Sequence, residues 1–205
     1  MNIEKLVADQ EMSGEGIYQK DIILSELEVK YVNKYRTILL YEEVTRSSIC
    51  KCLYWLDKIV NLDKKTGEKK PITIKIDSYG GHVYHGLSLI SKIESLVEDG
   101  YEIIGICTGV AMSMGSAILN VCSKRYMYRY GTILIHQVNS GSYGKYQDMK
   151  EELEETKRLN TLLMDLYLKR TKLTEKDVTD IIEKKKDLYL NAEISLKYGI
   201  IDGII

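Results

Sequence analysis

Three features of the sequence predict an α/β fold. Short apolar runs with strand-like alternation, such as Ile72-Thr-Ile-Lys-Ile-Asp77, recur along the chain. Amphipathic segments of helical period lie between them. Glycine-bearing turns, Ser78-Tyr-Gly-Gly81 and Gly109 to Gly115, join one kind of run to the other.

The elements follow in order. Residues 1 to 34 form an N-terminal arm, in which Gly14, Gly16 and scattered charge interrupt any pattern and Ile22 to Val29 is a short helix. Residues 35 to 205 form the main domain. Arg36 to Tyr41 reads as its first strand. Ser47 and Ser48 are candidate N-caps for a helix whose stripe is Ile49, Leu53, Leu56 and Val60. Lys64 to Lys70, with Gly67 inside and Pro71 after it, is a surface loop. Ile72 to Asp77 is a strand, and the Gly80-Gly81 turn leads into a helix reaching about Glu98. Its apolar face is Val83, Leu87, Ile90, Ile93 and Val97, and Gly100 ends it. Ile103 to Cys107 is a strand, followed by the turn holding Ser113 and an apolar helix from Met114 to Cys122. Tyr126 to Tyr130 and Thr132 to Ile135 are two more strands. A long helix spans Tyr146 to Arg170, with Met149, Leu153, Thr156, Asn160, Leu163 and Tyr167 along one stripe. Its start is acidic and its end basic, as the helix dipole favours. Thr174 with Asp177 forms a capping box for a helix to about Glu183, and Asn191 caps a last one that Gly199 stops.

At 205 residues, with net charge −1 and no apolar run long enough to cross a bilayer, the chain reads as a soluble globular protein of one large domain, or a domain with an arm. The charge gives no argument for nucleic acid or a lipid surface as partner. No signal peptide is visible, and four cysteines without framework spacing fit a reducing cytoplasm. Cys50 and Cys52 point to different faces of a helix, so a buried thiol suits each better than a shared metal. With no phenylalanine and sixteen tyrosines, tyrosine is expected to fill the core.

Ser113 is the candidate nucleophile. A serine between a strand and a helix is held among unpaired N–H groups at the positive end of the helix dipole, which suits an oxyanion. A base must activate it and an acid must orient the base. Three histidines are available. His136 ends an apolar strand where an active-site loop would begin. His82 and His85 flank the Gly80-Gly81 turn, where a metal would lack a third ligand. Residue chemistry leaves the acid open among Asp148, Asp177, Asp180, Asp187 and Asp202, with Asp165 inside the long helix disfavoured. A bare backbone at Gly80-Gly81 would let a peptide carbonyl approach and find an N–H.

These residues resemble the proteolytic subunit of the Clp protease. Gly109-Val-Ala-Met-Ser-Met-Gly115 is similar to that family's serine motif, and Ile135-His-Gln137 to its histidine motif. Asp187-Leu-Tyr-Leu-Asn-Ala192, running on to Tyr198-Gly-Ile-Ile-Asp202, is similar to its C-terminal motif, and Asp77-Ser-Tyr-Gly-Gly81 to its glycine turn. All four stand in the family's order, over residues 70 to 205. The resemblance implies a crotonase-like spiral of β-β-α units with a protruding strand–helix handle at about residues 139 to 170. It implies Ser113 as nucleophile, His136 as base and Asp187 as orienting acid, with the N–H groups of Gly81 and Met114 as oxyanion hole. It further implies stacked heptameric rings of this chain, a AAA+ ATPase partner, unfolded polypeptides as substrate, and no cofactor or metal in the chain itself. Tyr79 and Val138 stand where the family carries proline, and His85 where it carries a small residue. Alternatives are a silent ring subunit supporting an active paralogue and a related capsid-maturation protease. An acyl-CoA enzyme on the same fold finds no support in the sequence.

Overall fold

A computed structural model describes Glu26, residues 28–141 and 143–205, and its architecture is organised by one strand. That strand, β3 (Ile103–Met112), is ten residues long and forks the sheet. Its first half lies between β2 (Ile72–Ser78) and β4 (Lys124–Met127); its last three residues pair with β5 (Thr132–Ile135) instead. Beyond β2 lies β1 (Thr37–Leu40), and beyond β4 lies β7 (Gly203–Ile204). All these pairings are parallel. The exception is β6 (Leu188–Leu190), which runs antiparallel along β5. The expected mixed α/β fold is therefore observed.

Parallel neighbours need crossovers, and helices supply them. Helix α1 ends at residue 35 and α2 is Arg46–Thr66; α3 is Val83–Glu98 and α4 is Met114–Val121. Then come α5 (Tyr146–Arg170), α6 (Glu175–Ile182) and α7 (Ala192–Lys197). α2 packs on β1 and on α3, α3 on α4, and α4 on β3 and α5. All eight residues of α4 are buried, which explains why its sequence is apolar all round rather than striped.

Several expectations shift in detail. The helix expected at Ile22 to Val29 lies mostly outside the described residues, as do Gly14 and Gly16; the described helix runs on to residue 35 and sinks Val32 into the core. Thr45, not Ser47 or Ser48, caps α2, and Ser48 is instead the third residue of a capping box. α2 continues to Thr66, into the expected loop, until Gly67 closes it in the left-handed conformation at φ 74°. α3 buries Gly86, Leu89, Ile90, Ile93 and Leu96, leaving Val83, Leu87 and Val97 only partly covered. The strand ending at Cys107 in the sequence reading goes on to Met112, because β5 offers it a second partner. Among the described residues of 139–145 no strand precedes α5.

The core is built of isoleucine and leucine, not tyrosine. Of the large side chains, Ile38, Leu40, Leu56, Ile72, Ile74, Ile76 and Ile103 are fully buried, whereas Tyr101 and Tyr167 are the buried tyrosines among the described residues. Branched aliphatics fit both faces of a covered parallel sheet without a hydroxyl to satisfy. Cys52 is buried as expected, but Cys50 is exposed, because its side of the helix faces away from the core.

Candidate active site

Three parallel strands, β2, β3 and β5, end at the same edge of the sheet, and the polar residues of interest stand just beyond those ends. Open parallel sheets present their sites at this edge. Gly80 and Gly81 follow β2, Ser113 follows β3, and His136 follows β5. All four face one cavity of about 640 Å³, lined also by Met114, Val138, Met164 and Tyr167.

Ser113 has φ 53° and ψ −122°, a conformation L-residues rarely adopt. Such strain costs on the order of 1–3 kcal/mol and persists only where surrounding structure imposes it. Here the imposing contacts are visible. The Ser113 N–H donates to the Leu134 carbonyl at 2.9 Å, continuing the β3–β5 ladder past its last pair. The Ser113 carbonyl accepts from the N–H groups of Ser116 and Ala117 as α4 begins. The turn therefore lifts the side chain between a strand end and a helix N-terminus, as the sequence suggested. Ser113 occupies the N-cap position of α4, yet its side chain makes no cap hydrogen bond.

Gly80 and Gly81 bring the neighbouring loop against that turn. A Cβ on Gly80 would lie 2.6 Å from the Cβ of Ser113, and one on Gly81 would lie 2.5 Å from the carbonyl oxygen of Val44. Val44 holds this loop by parallel bridging: its N–H donates to Gly80, and the His82 N–H donates to its carbonyl. In such a bridge the N–H of Gly81 points away from Val44. Among the described residues neither that N–H nor the N–H of Met114, the first residue of α4, has an acceptor. Two free donors near a strained serine are what a developing oxyanion requires.

For the orienting acid, the sheet register narrows the choice. Ile135 pairs with Leu188 across the antiparallel β5–β6 ladder, so one step further His136 stands across from Asp187. Directly opposed residues share a face of the sheet. Other acids are committed elsewhere. Asp202 accepts three hydrogen bonds from Arg125, Asp177 caps α6 through Thr174, and Asp180 pairs with Lys184. Asp148 and Asp165 lie on α5. Asp187 is exposed, and no hydrogen bond joins Ser113, His136 and Asp187 among the described residues. Ser113 and His136 share the cavity, whereas Asp187 is not among its lining residues and is set opposite His136 by register alone.

His82 and His85 lie side by side at the start of α3. Their rings meet edge to face with centroids 5.5 Å apart, and no cluster of metal-binding side chains forms among the described residues.

Sequence reasoning placed Ser116, Asn160 and Tyr167 but gave them no task. The Ser116 hydroxyl contacts the carbonyls of Ser113 at 2.7 Å and Leu134 at 3.0 Å, and the hydroxyl of Tyr167 at 2.5 Å. Ser116 has one proton to share between the carbonyls, so Tyr167 donates to it. Burial raises the Tyr167 hydroxyl's pKa well above the ordinary value, against the weaker opposing effect of the Ser116 bond, and this keeps it protonated. This network ties α4, β5 and α5 together beneath the strained serine. The available signal was the polar pair Thr156 and Asn160 within the mainly apolar stripe of the long helix.

A family model described as Clp protease matches residues 24–205. The chain is 31% identical over 150 residues to a Deinococcus radiodurans protein described as "ATP-dependent Clp protease proteolytic subunit", covering 72% of this chain and 71% of that one. Proteins of the same description from Nephroselmis olivacea and Chlorokybus atmophyticus are 31% and 33% identical. Those matches cover 65% and 67% of this chain and span 63% and 60% of the relatives' lengths. Among the described residues no helix is long and apolar enough to cross a membrane. With the matched region taking in every strand end that frames the cavity, the chain belongs to the Clp protease family.

Proposed function

We propose that this chain is the peptidase subunit of a Clp-type assembly, a serine endopeptidase that cuts unfolded polypeptides. The observation that carries the reading is the strained Ser113, facing one cavity with His136 and with the unpaired N–H groups of Gly81 and Met114. In this mechanism His136 removes the proton from Ser113 as Oγ attacks a peptide carbonyl. The tetrahedral oxyanion rests on the N–H groups of Gly81 and Met114. His136 then protonates the leaving amine, and water, activated by the same histidine, releases the acyl-enzyme. Asp187, across the ladder from His136, orients the imidazole. Loss of a single oxyanion donor typically costs on the order of 10²–10³ in rate.

The same reading makes the protein a cytoplasmic homo-oligomer of stacked rings. Residues 139–170 are its handle and residues 1–34 an axial arm. A AAA+ unfoldase feeds the chamber and consumes the ATP. The names of the relatives support the ATPase partner, since each is called ATP-dependent.

A fluorophosphonate probe is expected to label Ser113 in the assembled protein, and Ser113→Ala or His136→Ala to abolish labelling. An assembled wild-type protein that resists the probe refutes the assignment. One observation favours a second reading, a silent subunit beside an active paralogue: the three residues share no hydrogen bond. Activity that appears only when a second homologous chain co-purifies would support it.

A further inference from the structure

Two side chains of α5 hold the loop that follows His136: Thr156 meets the Ser140 hydroxyl at an exposed position, and Asn160 holds the backbone nearer the histidine. Val138 lies two residues past His136 and lines the same cavity. Its N–H donates to Oδ1 of Asn160 at 2.7 Å. The donor is a backbone N–H, so the atom facing it is the amide oxygen. Asn160 sits in α5, is 7% exposed, and belongs to the face that also carries Leu163, Met164 and Tyr167. The last three border the cavity. Asparagine is a poor helix former, and burying its amide among apolar neighbours is unfavourable unless it is bonded. The partner of its amide oxygen is the loop that carries the histidine.

We infer that Asn160 is a positioning residue for His136: it fixes the 136–138 loop by capturing the Val138 N–H from a rigid helix. The inference rests on the proposed peptidase reading for its catalytic consequence. A loop N–H at a partly covered position needs an acceptor. Without Asn160 the loop would turn to find water or another carbonyl, and His136 would turn with it. A base displaced by about 1 Å is expected to lose on the order of 10²-fold in turnover. Substrate contacts elsewhere in the cavity would remain, so the loss should fall on kcat rather than KM.

The test is a cycle of Asn160→Leu, Val138→Pro and the double variant. Leucine removes the acceptor with little change in volume, and proline removes the donor. Val138 is not among the residues with positive φ, so the ring meets no left-handed backbone. Turnover of a fluorogenic peptide, thermal unfolding and hydrogen exchange across residues 134–141 are measured on the assembled protein. Asn160→Leu is expected to lower kcat at least 10-fold with KM within about 2-fold, and to speed exchange at Val138. The double variant should recover most of the lost kcat, because no donor is left orphaned. Wild-type kcat in Asn160→Leu overturns the inference, as does a loss that Val138→Pro fails to restore, which marks a merely structural residue. If Asn160→Leu does not fold, the double variant decides: it must fold and turn over, and its failure overturns the inference. A wild-type protein with no turnover refutes the peptidase reading instead. The loop contact is then judged by exchange alone, and an unprotected Val138 amide sinks it.

Discussion

Replacing Gly80 with alanine would press directly on the candidate nucleophile. The added Cβ would stand 2.6 Å from the Ser113 Cβ, 2.7 Å from the Met112 carbonyl oxygen and 3.0 Å from the Met114 nitrogen. Ordinary contact begins at 3.4 Å, so the two carbons must part by about 0.8 Å. None of the three atoms is the free end of a flexible side chain. Gly80 also has φ 94°, which costs an L-residue on the order of 1–3 kcal/mol, and overpacking adds a similar amount. The expected destabilisation is about 2–6 kcal/mol, within the roughly 5–15 kcal/mol of a typical domain, so the variant should still fold. Displacing the nucleophile by nearly 1 Å should slow acylation about 100-fold. Gly67→Ala is the control. It carries a similar backbone burden at φ 74°, but nothing lies within 4 Å of its Cβ. It should lose about 1 kcal/mol of stability and keep the wild-type rate. The assay is the second-order rate of fluorophosphonate labelling beside a thermal melt. Wild-type labelling and melting in Gly80→Ala would show that the close approach of the two turns does not exist.

Two further outcomes follow from charge and burial. Burial pushes the thiols of Cys52, Cys107 and Cys122 up to about 12, while Cys50 is exposed. At pH 8 the three buried groups are thiolate only to about 1 part in 10⁴, so iodoacetamide should modify Cys50 alone in native protein and all four cysteines in urea; stoichiometric native modification of any buried one contradicts this. Burial of Asp202 favours its neutral form, yet the hydrogen bonds and charge of Arg125 outweigh this and hold its pKa below the usual carboxylate value. A depressed carboxylate contributes stability that is fully present above its unfolded pKa, near 4, and lost as pH falls through the folded value. The melting-temperature gap between wild type and Asp202→Asn should therefore shrink from pH 7 to pH 3, and a gap that stays constant would mean Asp202 is not the anionic partner.

What could be read from the sequence was what local chemistry dictates. The alternation of Ile72 to Asp77, the period of Tyr146 to Arg170 and the Thr174–Asp177 capping box are all local, and each element lies where expected. The end of β3 was not legible. Thr108-Gly109 looks like a break, and it takes pairing with β5, more than twenty residues later, together with an irregular contact to β2, to extend the strand to Met112. The α2 start was misplaced because Thr45, Ser47 and Ser48 are all acceptable caps, and only reciprocal bonds distinguish a cap from the third residue of a box. Filling the core with tyrosine was an error of composition: the absent phenylalanine is replaced by isoleucine, and most tyrosines lie at the surface. For the site, Ser113 and His136 stood out as residue types at strand ends. Asp187 was one acid among several until the β5–β6 register set it opposite His136, leaving aside the resemblance that named it. The bond between Val138 and Asn160 crosses 22 residues: a polar residue in the helix stripe hinted at a partner, but nothing in either segment named Val138.

The forked strand also divides the molecule into a part free to drift and a part that is not. Every candidate chemical group sits at the carboxyl edge of β2, β3 and β5, where a change in the length of one connection displaces a reacting atom. The opposite edge carries the connections at residues 67–71 and 99–102, where Gly67 and Gly100 meet no close neighbour. Their lengths can change without altering how Ile72 pairs with Ile103. New surface for new partners can thus accumulate on one rim of the domain while the chemistry on the other stays fixed.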